Sequence, residues 1–162
     1  MSPEDLTDGE IRLLLESPKR VTHRPKRPKA KPGHDEWEWG LETTDGTYRF
    51  ALYARQLHDD PDDFSCGLRL LLPSGDEVTL ARCNGPAHLH RNPIERTRIE
   101  FQPHRHLATE RYIRAGRAAD QYAEACEDYD TLATALQALA RECRVDEAIV
   151  LPCRPVEPEL GL

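Results

Sequence analysis

Hydrophobic and polar residues alternate with a period of two along much of the first two thirds of the chain. This alternation is typical of half-buried β-strands and predicts them over residues 36–39 and 47–53. Residues 66–72 and 77–82 flank a Pro-Ser-Gly-Asp turn, which predicts a hairpin of two paired strands. A further strand is predicted over residues 97–101. Because the connections are short, we expect mostly antiparallel pairing.

Both ends of the chain show apolar residues at helical spacing instead. Residues 3–16 predict a short capped helix, and residues 129–144, with Asp130 as the N-cap, predict a longer one. A short strand is predicted over residues 148–151. The expected fold class is α+β, with a mostly antiparallel sheet of about five strands and an N-terminal and a C-terminal helix packed on it. One core is expected to contain Trp37 or Trp39, Phe50, Leu70 and Leu136.

Composition divides the chain into an N-terminal helix (1–18), a basic Pro-rich arm or linker (19–34), an α+β domain (35–151) and a flexible tail (152–162). Prolines in the arm remove hydrogen-bond donors, so we expect it to be mobile. Its bases favour binding to RNA phosphates, with a solubilising linker as the alternative. These bases are Lys19, Arg20, Arg24, Lys26, Arg27, Lys29 and Lys31.

Length and charge indicate one ordinary domain, with 162 residues and 22 Lys plus Arg against 29 Asp plus Glu. The apolar runs are too short to span a bilayer and the acidic start is unlike a secretory signal, so we expect a cytoplasmic protein without a membrane partner. Five widely spaced cysteines without a C-x-x-C pair argue against a disulfide framework or a zinc ribbon. Glycine-rich phosphate loops and the nucleophile elbow of α/β-hydrolases are absent from the sequence.

Four histidines form two H-x-H pairs, His88 with His90 and His104 with His106. On an extended strand such a pair points both imidazoles to one face. We therefore expect His90, His104 and His106 to share one pocket. Imidazole with a carboxylate suits a divalent transition metal such as zinc. In that reading the metal ligands are His88, His90, His104, His106 and Glu110.

The same cluster suits chemistry without any cofactor, because the unperturbed pKa of histidine lies near neutrality. RNA supplies its own 2′-hydroxyl nucleophile, so a base, an acid and a cation are enough for phosphodiester cleavage. The catalytic candidates for a metal-independent, ribonuclease-like phosphodiesterase are His90, His104, His106, Glu110 and Arg111. Hydrogen-bonded surface histidines without a catalytic role are the alternative.

Two resemblances accompany these motifs. The stretch from His104 through Glu110 to Gly116 resembles the first metal motif of the cupins, although Arg98 stands where a cupin has glycine and the second motif is missing. The double H-x-H pattern and the H-x-H-x-x-x-E-R-Y signature resemble a family of small bacterial single-domain proteins of unknown function. That resemblance spans Leu6–Ile11, Asp62–Ser65, Asn84-Gly85, His88–Asn92, His104–Tyr112 and Tyr122–Glu124.

These observations leave three functions open. The leading interpretation is a small bacterial protein that acts on or binds RNA or another phosphodiester through its His/Glu cluster, in a toxin–antitoxin or phage-defence setting. One alternative is a non-catalytic, antitoxin-like or immunity-like module that holds a protein partner. The other alternative is a metal-binding domain.

Overall fold

The computed structural model of the protein describes residues 1–153, so the predicted tail lies outside the described residues from residue 154 onward. Three helices are present: α1 (Asp8–Glu16), α2 (Glu110–Arg114) and α3 (Leu132–Glu142), with a 3₁₀ turn at Pro3–Asp5 before the first. None of the helices in this described part is long and apolar enough to cross a membrane.

Within residues 1–153, ten strands account for most of the regular structure. They are β1 (Lys19–His23), β2 (Lys29–Lys31), β3 (His34–Thr43), β4 (Arg49–Leu57), β5 (Phe64–Leu71), β6 (Glu77–Asn84), β7 (His90–Asn92), β8 (Thr97–Ile99), β9 (His104–Leu107) and β10 (Ala123–Ala125). Eight of them form one antiparallel sheet in the order β1-β3-β4-β5-β6-β9-β10, with β2 also paired to β3. Strands β7 and β8 form a separate hairpin.

The predicted α+β fold with a sheet of about five strands is wrong, because the protein is β-rich. The long strands β3 to β6 were visible in the alternation, whereas β7, β9 and β10 have only three or four residues each. Such short segments hold too few positions to show a period. The strand predicted over residues 148–151 is absent from the described structure.

The basic segment 19–34 is likewise not an unpaired arm. Strands β1 and β2 both pair with the outer side of β3 and form one edge of the sheet. All its prolines lie between strands, where no ladder hydrogen bond is needed. The prolines therefore mark the ends of two edge strands, because they exclude a helix or a central strand but not an edge strand.

One face of the sheet carries the hydrophobic core. Trp39, Leu52 and Leu68 lie side by side across β3, β4 and β5, and all three are buried. Helix α3 packs over β4, β5 and β6, and the apolar side of α1 joins the same cluster. The predicted core of Trp37, Trp39, Phe50, Leu70 and Leu136 is confirmed. The opposite face is more polar and carries the site described next.

Helix α3 confirms the helix predicted near the C-terminus, with a different N-cap. Its N-cap is Thr131, and Thr131 and Thr134 each accept a hydrogen bond from the other's backbone N–H. Asp130 precedes the cap, and its Oδ1 accepts from the Thr134 hydroxyl at 3.2 Å. Reciprocal capping satisfies two of the donors that a helix start leaves free.

Candidate metal centre

Strand β9 places two imidazoles on the polar face of the sheet. Residues 104 and 106 are two positions apart on a paired strand, so their side chains share a face. His104 lies opposite Asn84 and His106 lies opposite Arg82 in the β6–β9 register. Both histidines are almost fully buried, with 1% and 2% of their surface exposed.

The third imidazole comes from the hairpin β7–β8. His90 begins β7, and its ring centroid lies 4.6 Å from that of His106 and 5.4 Å from that of His104. The centroids of His104 and His106 are 5.1 Å apart. One candidate ligand nitrogen from each ring lies within 4.8 Å of the other two. The prediction that these three histidines share a site is confirmed.

Asn92 docks this hairpin on the main sheet. Its buried amide donates to the carbonyl of Ala123 at 2.8 Å, and its Oδ1 accepts from the Ala123 N–H at 2.9 Å. The amide also donates to the Thr97 hydroxyl at 3.1 Å. Asn92 therefore joins β7, β8 and β10, and this fixes His90 over the sheet.

Each of the three rings is oriented by a hydrogen bond to a protein oxygen. His104 Nδ1 donates to the Gln102 carbonyl at 3.0 Å, and His106 Nδ1 donates to the Asp120 carbonyl at 2.8 Å. His90 Nε2 donates to Asn92 Oδ1 at 2.8 Å, an atom that already accepts from a backbone N–H. Because these oxygens only accept, the opposite nitrogen of each ring carries a lone pair. The lone pairs are on His90 Nδ1, His104 Nε2 and His106 Nε2.

The His106 lone pair has no protein partner. Its Nε2 is buried and forms no hydrogen bond with any described residue. Burial, reinforced by the Arg82 guanidinium, lowers the pKa of His106 to about 3, and burial also lowers the pKa of His104. Both rings are neutral at physiological pH. A neutral imidazole with a free nitrogen is the form that binds a metal.

Arg82 is the cation nearest to the three rings. Its Nη2 lies 3.2 Å from His106 Nδ1, and its Nε lies 3.4 Å from the Asp120 carboxylate. His106 Nδ1 donates its hydrogen to the Asp120 carbonyl, so this nitrogen has no lone pair to accept a hydrogen bond from Arg82. We therefore assign the contact between Arg82 and His106 as electrostatic. The carboxylate of Asp120 offsets the guanidinium charge beside the site.

Tyr129 joins the two strands beneath the site. Its hydroxyl lies 2.8 Å from the carbonyl oxygen of Asn84 and 2.9 Å from that of His104, and it donates to this pair. The hydroxyl thereby ties the end of β6 to the start of β9. The backbone that carries His104 is held from the opposite side of the sheet.

Three predicted site residues lie outside this cluster. His88 is exposed and faces the Asp63 carboxylate at 3.2 Å. Glu110 begins α2 and accepts from Arg114 Nε at 2.7 Å; this bonding holds the pKa of the carboxyl below its ordinary value. Arg111 donates to Glu95 at 3.0 Å. The prediction that Glu110 joins the histidines is wrong because α2 turns the chain away after β9, so the cupin-like ligand set does not form.

Several of the predicted RNA-binding bases have structural partners. Lys19 is fully buried, and its Nζ donates to the carbonyls of Leu15, Ser17 and Cys143 at 2.8–2.9 Å. Arg20 donates to Glu42 at 2.6 Å, and Arg24 donates to the carbonyl of Ala148 at 2.9 Å. Lys29 and Lys31 lie near Glu36 and lower the pKa of its carboxyl, after the larger effect of its bond to His34. Lys26 and Arg27 occupy the bend between β1 and β2.

Sequence reasoning missed the residues that orient the rings. Gln102 and Asp120 act through their backbone carbonyls, so their residue types do not reveal the role. The role of Tyr129 depends on contacts between segments that are distant in the sequence. Asn92 offered a signal, because an amide two residues after His90 lies on the same face of an extended strand.

Comparison with known family models, with curated proteins and with solved structures finds no match. What the site can do follows from its own chemistry. Three imidazole nitrogens suit Zn, Cu, Fe or Ni. Ligand nitrogens around a tetrahedral zinc lie about 3.3 Å apart, so nitrogens within 4.8 Å of one another have to approach by up to about 1.5 Å to share one ion.

Proposed function

We propose that this protein binds a divalent transition metal through His90, His104 and His106. One observation carries the proposal: three imidazoles converge, and each donates its other ring N–H to a protein oxygen. Metal-bound histidines are almost always held in this way, since the outer bond fixes the tautomer and the ring direction. In the described chain, His106 Nε2 is a buried nitrogen without a hydrogen-bond partner, and a metal ion would supply one.

The metal-free acid–base mechanism has less support. The two partners that the sequence predicted for it, Glu110 and Arg111, are engaged with Arg114 and Glu95 and do not contact the histidines. Burial lowers the pKa of both His104 and His106, so neither ring carries a proton that it can donate near neutral pH. The geometry therefore favours the metal-binding function over metal-independent ribonuclease activity.

Hydrolysis of a phosphodiester is a second candidate, as an activity of the metal-loaded site. Three protein ligands leave a coordination position for water, and a metal lowers the pKa of that water. Arg82, on the same face and beside His106, is a cation suited to an anionic substrate. RNA is the proposed substrate, and cleavage is expected with metal present and lost in chelator.

The primary test is a metal titration of protein that has been stripped with a chelator. Cobalt(II) absorption reports the coordination, and competition with a chromophoric chelator gives the zinc affinity. The wild type is expected to bind one equivalent. His106→Ala is expected to lower the affinity by at least about 100-fold, since loss of a ligand exceeds loss of an outer partner.

His88→Ala is the matched control. This residue belongs to the same H-x-H pattern but faces Asp63, so its loss is expected to leave zinc affinity within about twofold of the wild type. Circular dichroism of both metal-free variants checks that they fold. Absence of stoichiometric binding in the wild type, or equal losses in the two folded variants, would refute the proposal.

A further inference from the structure

Two cysteines lie side by side on the core face of the sheet. Cys66 on β5 and Cys83 on β6 are direct register partners. The Gly85 N–H donates to the Phe64 carbonyl at 2.9 Å, so the alternation of an antiparallel ladder makes 66/83 a hydrogen-bonded pair with Cα atoms about 5.5 Å apart. Disulfides span Cα separations of 4.4–6.8 Å. The Cα separation therefore lies within the range that a disulfide spans, and the Cβ atoms of the pair have to approach each other by about 1 Å for the bond to form.

Cys83 also lines a cavity between the sheet and α3. The cavity measures about 510 Å³, and its lining includes Arg105, Cys126, Tyr129 and Gln137. A water molecule occupies about 30 Å³ in the liquid, so a small hydroperoxide fits easily. Cys66 and Cys83 are both buried, but only Cys83 of the two lines the cavity. The cavity therefore brings a small oxidant next to Cys83 and not next to Cys66.

The surroundings distinguish the two sulfurs chemically. The interaction with Cys66 lowers the pKa of Cys83, whereas the interaction with Cys83 and burial raise the pKa of Cys66. The Arg105 guanidinium further favours the Cys83 thiolate. A thiolate is the form that attacks peroxides, and a neighbouring thiol is the form that resolves the product.

We propose that Cys83 is a site of oxidation by small hydroperoxides and that Cys66 is its resolving thiol. This site lies on the opposite face of the sheet from the three histidines and does not depend on a metal. Position supports the assignment, because Cys83 lines the cavity and is in direct register with a second cysteine, whereas Cys126, which also lines the cavity, is not part of this strand pair.

The chemistry balances in two steps. The Cys83 thiolate attacks one oxygen of hydrogen peroxide, the O–O bond breaks, and hydroxide leaves. The hydroxide takes up the proton that the Cys83 thiol lost when it became a thiolate, which gives the first water. Cys83 is then a sulfenic acid. The Cys66 sulfur attacks the Cys83 sulfur, the S–O bond breaks, and a second water leaves with the Cys66 proton. Two thiols are oxidised to one disulfide, and one peroxide is reduced to two waters.

The test is treatment of the reduced, metal-free full chain with hydrogen peroxide, followed by peptide mapping under non-reducing conditions. A peptide pair joined through Cys66 and Cys83 is expected. The exposed Cys153 is an internal reference, and Cys83 is expected to react at least about tenfold faster, because its environment favours the thiolate. This measurement needs no variant and is unaffected by folding defects.

Variants separate the roles of the two sulfurs. Cys66→Ala is expected to leave a Cys83 sulfenic acid that dimedone traps, whereas Cys83→Ala is expected to give neither adduct nor disulfide. Cys143→Ala is the matched control, since Cys143 is buried at the end of α3; it is expected to behave as wild type. A disulfide from Cys83 to Cys126, or oxidation of Cys83 no faster than of Cys153, would overturn the proposal.

Discussion

Lys19 and His106 are both buried titratable side chains, and both belong to segments that the sequence marks as chemically unusual. The Lys19 ammonium is surrounded by three carbonyl oxygens and lies 4.9 Å from the centre of the Phe50 ring. His106 has one nitrogen bonded to a carbonyl and the other without any partner in the described chain. The Lys19 ammonium is fully hydrogen-bonded within the fold, whereas His106 keeps one nitrogen that can bind a ligand.

The comparison shows that an unusual density of one residue type does not by itself identify a site. Lys19 caps the C-terminal ends of α1 and α3, where helices leave carbonyls unsatisfied. The positive charge of Lys19 interacts with these carbonyl oxygens inside the protein. The histidine cluster differs because every ring is held by a hydrogen bond at one nitrogen while the three rings lie next to one another.

The largest effect on stability is expected at Lys19. Lys19→Met leaves buried carbonyls without a donor and is expected to lower the free energy of unfolding by about 2 to 3 kcal/mol at pH 7. Arg20→Met is the control, since Arg20 is an exposed neighbour paired with Glu42; it is expected to cost less than about 1 kcal/mol. Urea denaturation at fixed pH measures both. Equal losses in the free energy of unfolding for Lys19→Met and Arg20→Met would contradict a structural role for the buried Lys19 ammonium.

The loss at Lys19 is expected to grow at high pH. Burial lowers the pKa of Lys19 from 10.5 to about 8, so between these values the unfolded chain binds more protons than the folded one. The free energy of unfolding of the wild type then rises relative to Lys19→Met by up to about 1.4 kcal/mol per pH unit. Denaturation curves at pH 7, 8, 9 and 10 check the sign. A falling difference would contradict a lowered pKa.

An effect on stability of similar size is expected from zinc at the histidine cluster. At a free zinc concentration 100 times the dissociation constant, binding to the folded state adds about 2.7 kcal/mol to the free energy of unfolding. His106→Ala is expected to show almost none of this gain, whereas Lys19→Met is expected to keep it. Thermal or urea unfolding with and without zinc makes the measurement. Equal stabilisation of all three proteins would show that zinc binds elsewhere.

Asn92 connects stability with the site. Asn92→Ala removes the amide that bonds to both backbone groups of Ala123, so we expect a loss of about 2 kcal/mol. The hairpin that carries His90 also loses its anchor, and zinc affinity is expected to fall by about 10 to 100-fold. Thr97→Val removes a single bond to the same amide and is expected to change the affinity much less. Unchanged affinity in Asn92→Ala would exclude His90 as a ligand.

The smallest effect is expected at Arg24. Its side chain forms an exposed ion pair with Glu147 at 3.1 Å, so Arg24→Ala is expected to lower the free energy of unfolding by less than about 0.5 kcal/mol. If the basic edge binds RNA through its charges, the same change lowers RNA affinity at low salt and flattens the salt dependence. Filter binding at two salt concentrations measures this. RNA binding that is insensitive to salt would exclude the phosphate-binding role.

Much of the fold could be predicted where local pattern and long-range packing agree. Trp37 and Trp39 share the core face because residues two apart on a strand always do, and the turn after residue 72 joins β5 to β6. The same rule places His104 and His106 together. It fails for His88 and His90, because only His90 lies in a strand.

The sequence by itself determined which side chains share a face of a strand and which helix surfaces are apolar, since both depend on the geometry of a few consecutive residues. Only the tertiary structure decided that His90 meets the β9 pair, that Glu110 does not, and that Lys19 is buried. These outcomes depend on bonds between residues far apart in the chain, such as Asn92 with Ala123 and Lys19 with Cys143. Contacts of that kind leave no period in the sequence, because their energy depends on how the whole sheet closes.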